Sequence, residues 1–112
     1  MAAAFEVYNQ LGSGFLEDVY HEALEIELAE SGVPFASKPR LLINYKNHPL
    51  KKHYEADLIV VDEIVVELKA VKSLLPEHEA QLMNYLKATG KRVGYLLNFG
   101  ASPRLDWRRF VV

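Results

Sequence analysis

The sequence has no cysteine, which excludes disulfides, a thiolate zinc centre and a cysteine nucleophile, and is compatible with a reducing interior. It has no apolar run approaching the roughly 18 residues that a membrane span needs. Its opening Met1-Ala2-Ala3-Ala4 has neither the basic start nor the apolar stretch of a secretory signal. A cytoplasmic protein without membrane contact is the expectation. A phosphate-cradling glycine loop is missing too, because Gly12-Ser13-Gly14 lacks the lysine and the preceding strand of a P-loop. Ser13, Ser31, Ser37, Ser73 and Ser102 fall in no nucleophile-elbow pattern. No pair among His21, His48, His53 and His78 has the spacing of a helical zinc site, and none is assigned a catalytic role.

An excess of positive charge is also absent. The 13 Lys/Arg stand against 15 Asp/Glu, a net charge of -2, which argues against a nucleic-acid binder driven by bulk charge. The distribution is uneven: residues 1–68 carry 5 Lys/Arg and 12 Asp/Glu, and residues 69–112 carry 8 and 3. The basic half holds Lys69, Lys72, Lys87, Lys91, Arg92, Arg104, Arg108 and Arg109, which can meet phosphates if they share a face. The plainer alternative is an ordinary mixed surface. Bound cations would offset some of the acidity around Glu17, Asp57 and Glu67.

What is present suffices for one domain over residues 1–112, since half of them are hydrophobic and can bury a core. Helical spacing predicts a helix over Ala2–Leu11, stopped by Gly12, and a second from about Phe15 to Ser31, with Leu16, Val19, Tyr20, Ala23, Leu24 and Leu28 on its apolar face. Beyond Pro34 the pattern turns β-prone. Extended segments lie within Phe35–Tyr45, a turn falls at Lys46-Asn47-His48-Pro49, and strands follow over Lys52–Val61 and Ile64–Ala70 around a tight turn at Asp62-Glu63. Pro76 opens a third helix that ends near Gly90. Arg92–Asn98 reads as a buried strand and Trp107–Val112 as a last edge strand. The expected class is α/β, a mixed sheet of about four to five strands with helices packed against it and a parallel pairing across the third helix.

Two of these strands carry charges that a half-buried sheet tolerates only for a reason. Asp57 sits in Tyr54–Val61, and Glu67 and Lys69 sit in Ile64–Ala70. Ionised groups among aliphatic neighbours are costly unless they pair or bind a metal. Glu67 and Lys69 are two apart and share a face, and the turn at Asp62-Glu63 brings Asp57 beside them. Two carboxylates and an ammonium on one face can hold a divalent cation and position a water, the chemistry of metal-assisted phosphodiester hydrolysis. The alternative is a hairpin face with cross-strand salt bridges.

Four further positions join them. Glu17 opens the second helix with Tyr20 on its face; Glu17 either favours the helix dipole or adds a third carboxylate. Gln81 and Tyr85 are four apart on the third helix. Gln81 can bond the attacking water or a phosphate, and Tyr85 either lines the cleft or joins the core with Leu82 and Leu86.

These residues together resemble the GxxExxY protein family, a group within the PD-(D/E)XK nuclease-like superfamily. The resemblance rests on Gly14-x-x-Glu17-x-x-Tyr20, Ala56-Asp57, Glu67-Leu68-Lys69, His78-Glu79-Ala80-Gln81-Leu82-x-x-Tyr85-Leu86 and Leu97-Asn98-Phe99-Gly100. It implies a restriction-endonuclease-like fold with Asp57, Glu67, the Leu68 carbonyl and Glu17 as ligands of Mg2+ or Mn2+. Lys69 would activate water and stabilise charge on the phosphate. Gln81, Tyr85 and Tyr20 would serve substrate binding. Ala56 stands where the superfamily pattern has proline, and the first helix begins a turn or two short of its relatives. The implied activity is a metal-dependent nuclease acting on DNA. The competing reading is a non-cleaving nucleic-acid-binding or assembly module on the same fold. Its small size implies a homodimer or a partner protein to grip a duplex.

Overall fold

The computed structural model describes residues 1–112. Its elements run α1 (Ala2–Leu11), α2 (Glu17–Glu30), β1 (Phe35–Ser37), β2 (Arg40–Tyr45), β3 (His48–Glu55), β4 (Leu58–Val60), β5 (Ile64–Lys69), α3 (Pro76–Thr89), β6 (Val93–Asn98) and β7 (Asp106–Val111). Five strands form one mixed sheet in the order β1-β4-β5-β6-β7, and β2 and β3 pair only with each other. The β5–β6 pair is parallel and the other neighbours are antiparallel. A parallel pair needs a long crossover, and α3 supplies it.

The alternation of β5 sorts the core into two layers. Ile64, Val66 and Leu68 face α1 and α2, where they pack with Tyr20, Leu24, Leu28, Leu97 and Phe99. Val65 faces the other way, toward Leu82, Leu86 and Leu96. Glu67 and Lys69 share the parity of Val65, so they project on the side of the sheet that α3 covers. The β2–β3 hairpin leans on α3 through Leu41 and Tyr54, whose ring lies 5.4 Å from that of Tyr85.

Two expectations need correction. The second helix starts at Glu17, not near Phe15, and Leu16 is 81% exposed and not on the apolar face. The run Lys52–Val61 is not one strand. It breaks at Ala56-Asp57, where the chain leaves its pairing with β2 and begins pairing with β5.

The β4–β5 connection holds a strained residue. Val61 and Asp62 adopt φ of 48° and 58°, a region that a β-branched side chain enters at a cost of about 1–2 kcal/mol. The Val61 N–H donates to Pro34 O at 2.8 Å, and its side chain is exposed. Asparagine keeps that bond and tolerates the conformation, so Val61→Asn is expected to raise the urea midpoint by the equivalent of about 1 kcal/mol. A lowered midpoint would show that the valine side chain contributes packing that its exposure does not suggest.

Candidate active site

The break between β3 and β4 is where the site begins. Beyond the Leu58↔Val66 pair the ladder stops, and side chains take its place. The Asp57 N–H donates to Glu67 Oε1 at 2.8 Å, and the Leu68 N–H donates to Asp57 Oδ2 at 2.7 Å. Each carboxylate therefore holds the other residue's stretch of backbone, and the two are interlocked. The Asp57 carbonyl accepts from Lys38 N at 2.9 Å, which fixes the far side of the break. In a strand a residue's N–H and C=O point to the same edge, so the Leu68 carbonyl opens toward Asp57. Lys69 is turned to the opposite edge, where its carbonyl accepts from Phe99 N at 2.8 Å.

Burial makes this pair electrostatically unusual. Glu67 is only 3% exposed. Its carboxyl is pushed up to about 9, first by burial and then by the Asp57 anion. Glu17, in the first turn of α2, is also raised, by partial desolvation of its carboxyl on an otherwise exposed residue and then by Asp57, while Lys69 opposes. The Tyr85 hydroxyl is raised by burial and then by Glu67 and Asp57. Glu17, Glu67 and Tyr85 thus all feel the charge of Asp57, and the cluster has too little positive charge of its own. Lys69 Nζ is held by Gln81 Oε1 at 3.1 Å.

Of the residues expected in the site, the structure bonds Asp57 with Glu67 and Lys69 with Gln81 as two neighbouring pairs that meet through β5, with Glu17 and Tyr85 coupled by charge to Asp57. Tyr20 is a correction. It is fully buried, stacked on Phe99 at 4.7 Å, with its hydroxyl donating to Gly12 O at 2.6 Å and accepting from Phe15 N at 3.1 Å. It cannot touch substrate; it anchors the loop that delivers Glu17. Gly14 in that loop has φ of 116°, where only glycine is at ease. His78 caps α3, its Nδ1 accepting from Leu75 N at 3.0 Å.

The role of Asn98, quoted above only as part of a motif, was not anticipated. The residue is completely buried, and its side-chain amide accepts from Val71 N and Gly100 N, both at 3.0 Å, and donates to Val71 O at 2.8 Å. It clamps the loop that leaves β5 directly after Lys69. The available signal was a lone polar residue closing the apolar run Val93–Leu97. Three of the basic residues of the C-terminal half are engaged within the chain: Arg108 pairs with Glu79 and Asp106, Lys91 with Asp62, and Arg92 bonds Val112 O.

The donor set fits a hard divalent cation. It consists of carboxylate and carbonyl oxygens, and the mutual repulsion of a buried pair is what such a cation relieves. No three acidic or imidazole side chains converge into a ready-made cage, because Asp57 and Glu67 are turned onto backbone amides. A mixed sheet with Asp57 at a strand break and Glu67-x-Lys69 on the central strand defines a nuclease-type domain.

The chain belongs to the PD-(D/E)XK nuclease superfamily, whose family model matches residues 1–110. Among solved structures, the crystal structure of SSO0001 superposes with a TM-score of 0.67 at 25% identity, covering 85% of this chain and 50% of that one. The chain therefore spans about half the length of that relative. None of the curated proteins matches it.

Proposed function

We propose that the protein is a nuclease that hydrolyses phosphodiester bonds in DNA with Mg2+ or Mn2+, working in the cytoplasm with a second copy or a partner protein. The interlocked Asp57–Glu67 pair, with Lys69 on the same strand face, carries this reading. Asp57, Glu67, the Leu68 carbonyl and Glu17 are the groups that would hold the cation. Such an ion supplies Lewis acidity toward a phosphodiester oxygen and a bound water of lowered pKa. Lys69 sets an ammonium against the charge that grows on the phosphate, and Gln81 fixes where that ammonium points. Tyr85 closes the floor of the site against Tyr54. One observation favours the rival, a non-cleaving binding module: the lack of a preformed three-residue cage.

The deciding experiment is cleavage of labelled single- and double-stranded DNA with either metal, wild type beside Lys69→Ala. Wild type is expected to cut, and the variant to bind metal with unchanged affinity while losing at least about 100-fold in rate. Full activity in the variant would remove the lysine from the mechanism. No cutting by either protein, with metal bound by both, would select the binding module.

A further inference from the structure

The acidic N-terminal half is not uniformly acidic. All 5 of its Lys/Arg, namely Lys38, Arg40, Lys46, Lys51 and Lys52, lie on or beside the β2–β3 hairpin, whose one acidic residue is Glu55. Residues 1–37 and 56–68 contain 11 Asp/Glu and no Lys or Arg. A solvated surface of mixed sign would not sort itself in this way. Every residue of β3 except Tyr54 is exposed, and the hairpin is held to the body by Leu41 and Tyr54 against α3. None of its five cations takes part in an ion pair, whereas Arg108 and Lys91 elsewhere are paired.

The geometry narrows the partner. Arg40, opposite Glu55, shares a face with Lys51 and His53, while Lys52 and His48 share the face of Tyr54. The Tyr54 face rests on α3 near the base of the hairpin, while toward the tip Lys52 on that face and Lys51 on the other are both exposed, an arrangement that suits an object with anionic walls on either side. The major groove of a nucleic-acid duplex has that form and admits a β-ribbon. An acidic protein surface or a membrane offers only one wall. The C-terminal end of β3 runs within two residues of Asp57, so the hairpin and the carboxylates are continuous in the chain.

We propose that the β2–β3 hairpin is a duplex-binding arm, lying in a groove of double-stranded nucleic acid with its cations on the phosphates to either side. This deepens the nuclease reading and rests on it for the class of partner. Its test does not need cleavage. Binding of a short labelled duplex and of the matching single strand is followed by fluorescence anisotropy in EDTA, from about 50 to 200 mM salt.

The variant Lys46→Ala/Lys51→Ala/Lys52→Ala is expected to keep its unfolding midpoint, because these side chains are exposed. Its affinity for the duplex should fall about 10-fold or more, with the salt slope reduced by about 3. Arginine at the same three positions should restore both. A control lacking three exposed cations elsewhere, Lys72→Ala/Arg104→Ala/Arg109→Ala, should lose far less. Equal loss in the two triple variants would overturn the arm in favour of bulk charge. Equal loss on duplex and single strand would overturn the groove geometry, and arm-dependent binding to anionic lipid vesicles as tight as to the duplex would overturn the partner. Metal-dependent cutting, assayed separately, can fail while arm-dependent binding survives, so the two readings are distinguishable.

Discussion

Glu67→Gln is expected to lose metal-dependent cleavage and yet, without metal, to resist urea better than wild type. Glutamine keeps an oxygen for the Asp57 N–H, so the interlock survives in outline. What disappears is an ionisable group whose carboxyl moves from an ordinary 4.5 to about 9 in the fold. Between those values the folded chain holds a proton that the unfolded chain releases. Wild-type stability therefore falls as pH rises through this window, and the variant is spared the loss. The advantage should grow with pH and reach about 2–3 kcal/mol near pH 7–8. Mn2+ is expected to reverse the ranking. Cation binding requires Glu67 to lose its proton, so metal stabilises wild type, and does so more strongly as pH rises. Urea midpoints from pH 5 to 9 with and without Mn2+, beside a cleavage assay, check every part. A variant that is less stable at pH 8 without metal would make Glu67 a structural anchor, and a variant that still cuts would remove it from the reaction.

Gly100→Ala is expected to be the most damaging single-methyl change outside the carboxylates. A β-carbon there would lie 2.5 Å from Val71 N and closer still to the Val71 carbonyl oxygen. Backbone cannot yield as a side-chain tip does. The 70–72 segment must move away, and Asn98 then loses its bonds to Val71. Overpacking and orphaned polar groups together should cost about 3 kcal/mol or more, a fall in melting temperature of about 10–20 °C for a chain of this size. Thermal unfolding by circular dichroism reads it directly. Because Val71 follows Lys69 by two residues, any surviving activity should fall with the stability. A melting point within a few degrees of wild type would mean that the loop has slack that this packing does not reveal.

The parts of the site that were legible in the sequence were those with an energetic oddity. Glu67 and Lys69 stand out because charge in an aliphatic strand demands an explanation, and strand parity then puts them on one face. The break at Ala56-Asp57 was not legible, since residues on either side are equally β-prone and local propensity cannot tell when a strand changes partner. Tyr20 shows a different limit. Its spacing from Glu17 is visible, but the spacing cannot distinguish a hydroxyl facing substrate from one tying down a loop. Asn98 was hidden because a single amide among apolar residues has meaning only once its three backbone partners are in place. The basic arm was concealed by averaging, its cations outnumbered by the acidic helices that precede it.

β5 bears Glu67 and lies between β4, which directly precedes it, and β6, which arrives only after the whole of α3. During synthesis the carboxylates are thus made early and housed late. Until Val93–Asn98 emerges, one edge of β5 has no neighbour, and the Asn98 clamp behind Lys69 does not yet exist. A nascent chain carries every group of the cluster without the enclosure that sets its charges against one another. That enclosure is complete only when the parallel strand β6 pairs with β5.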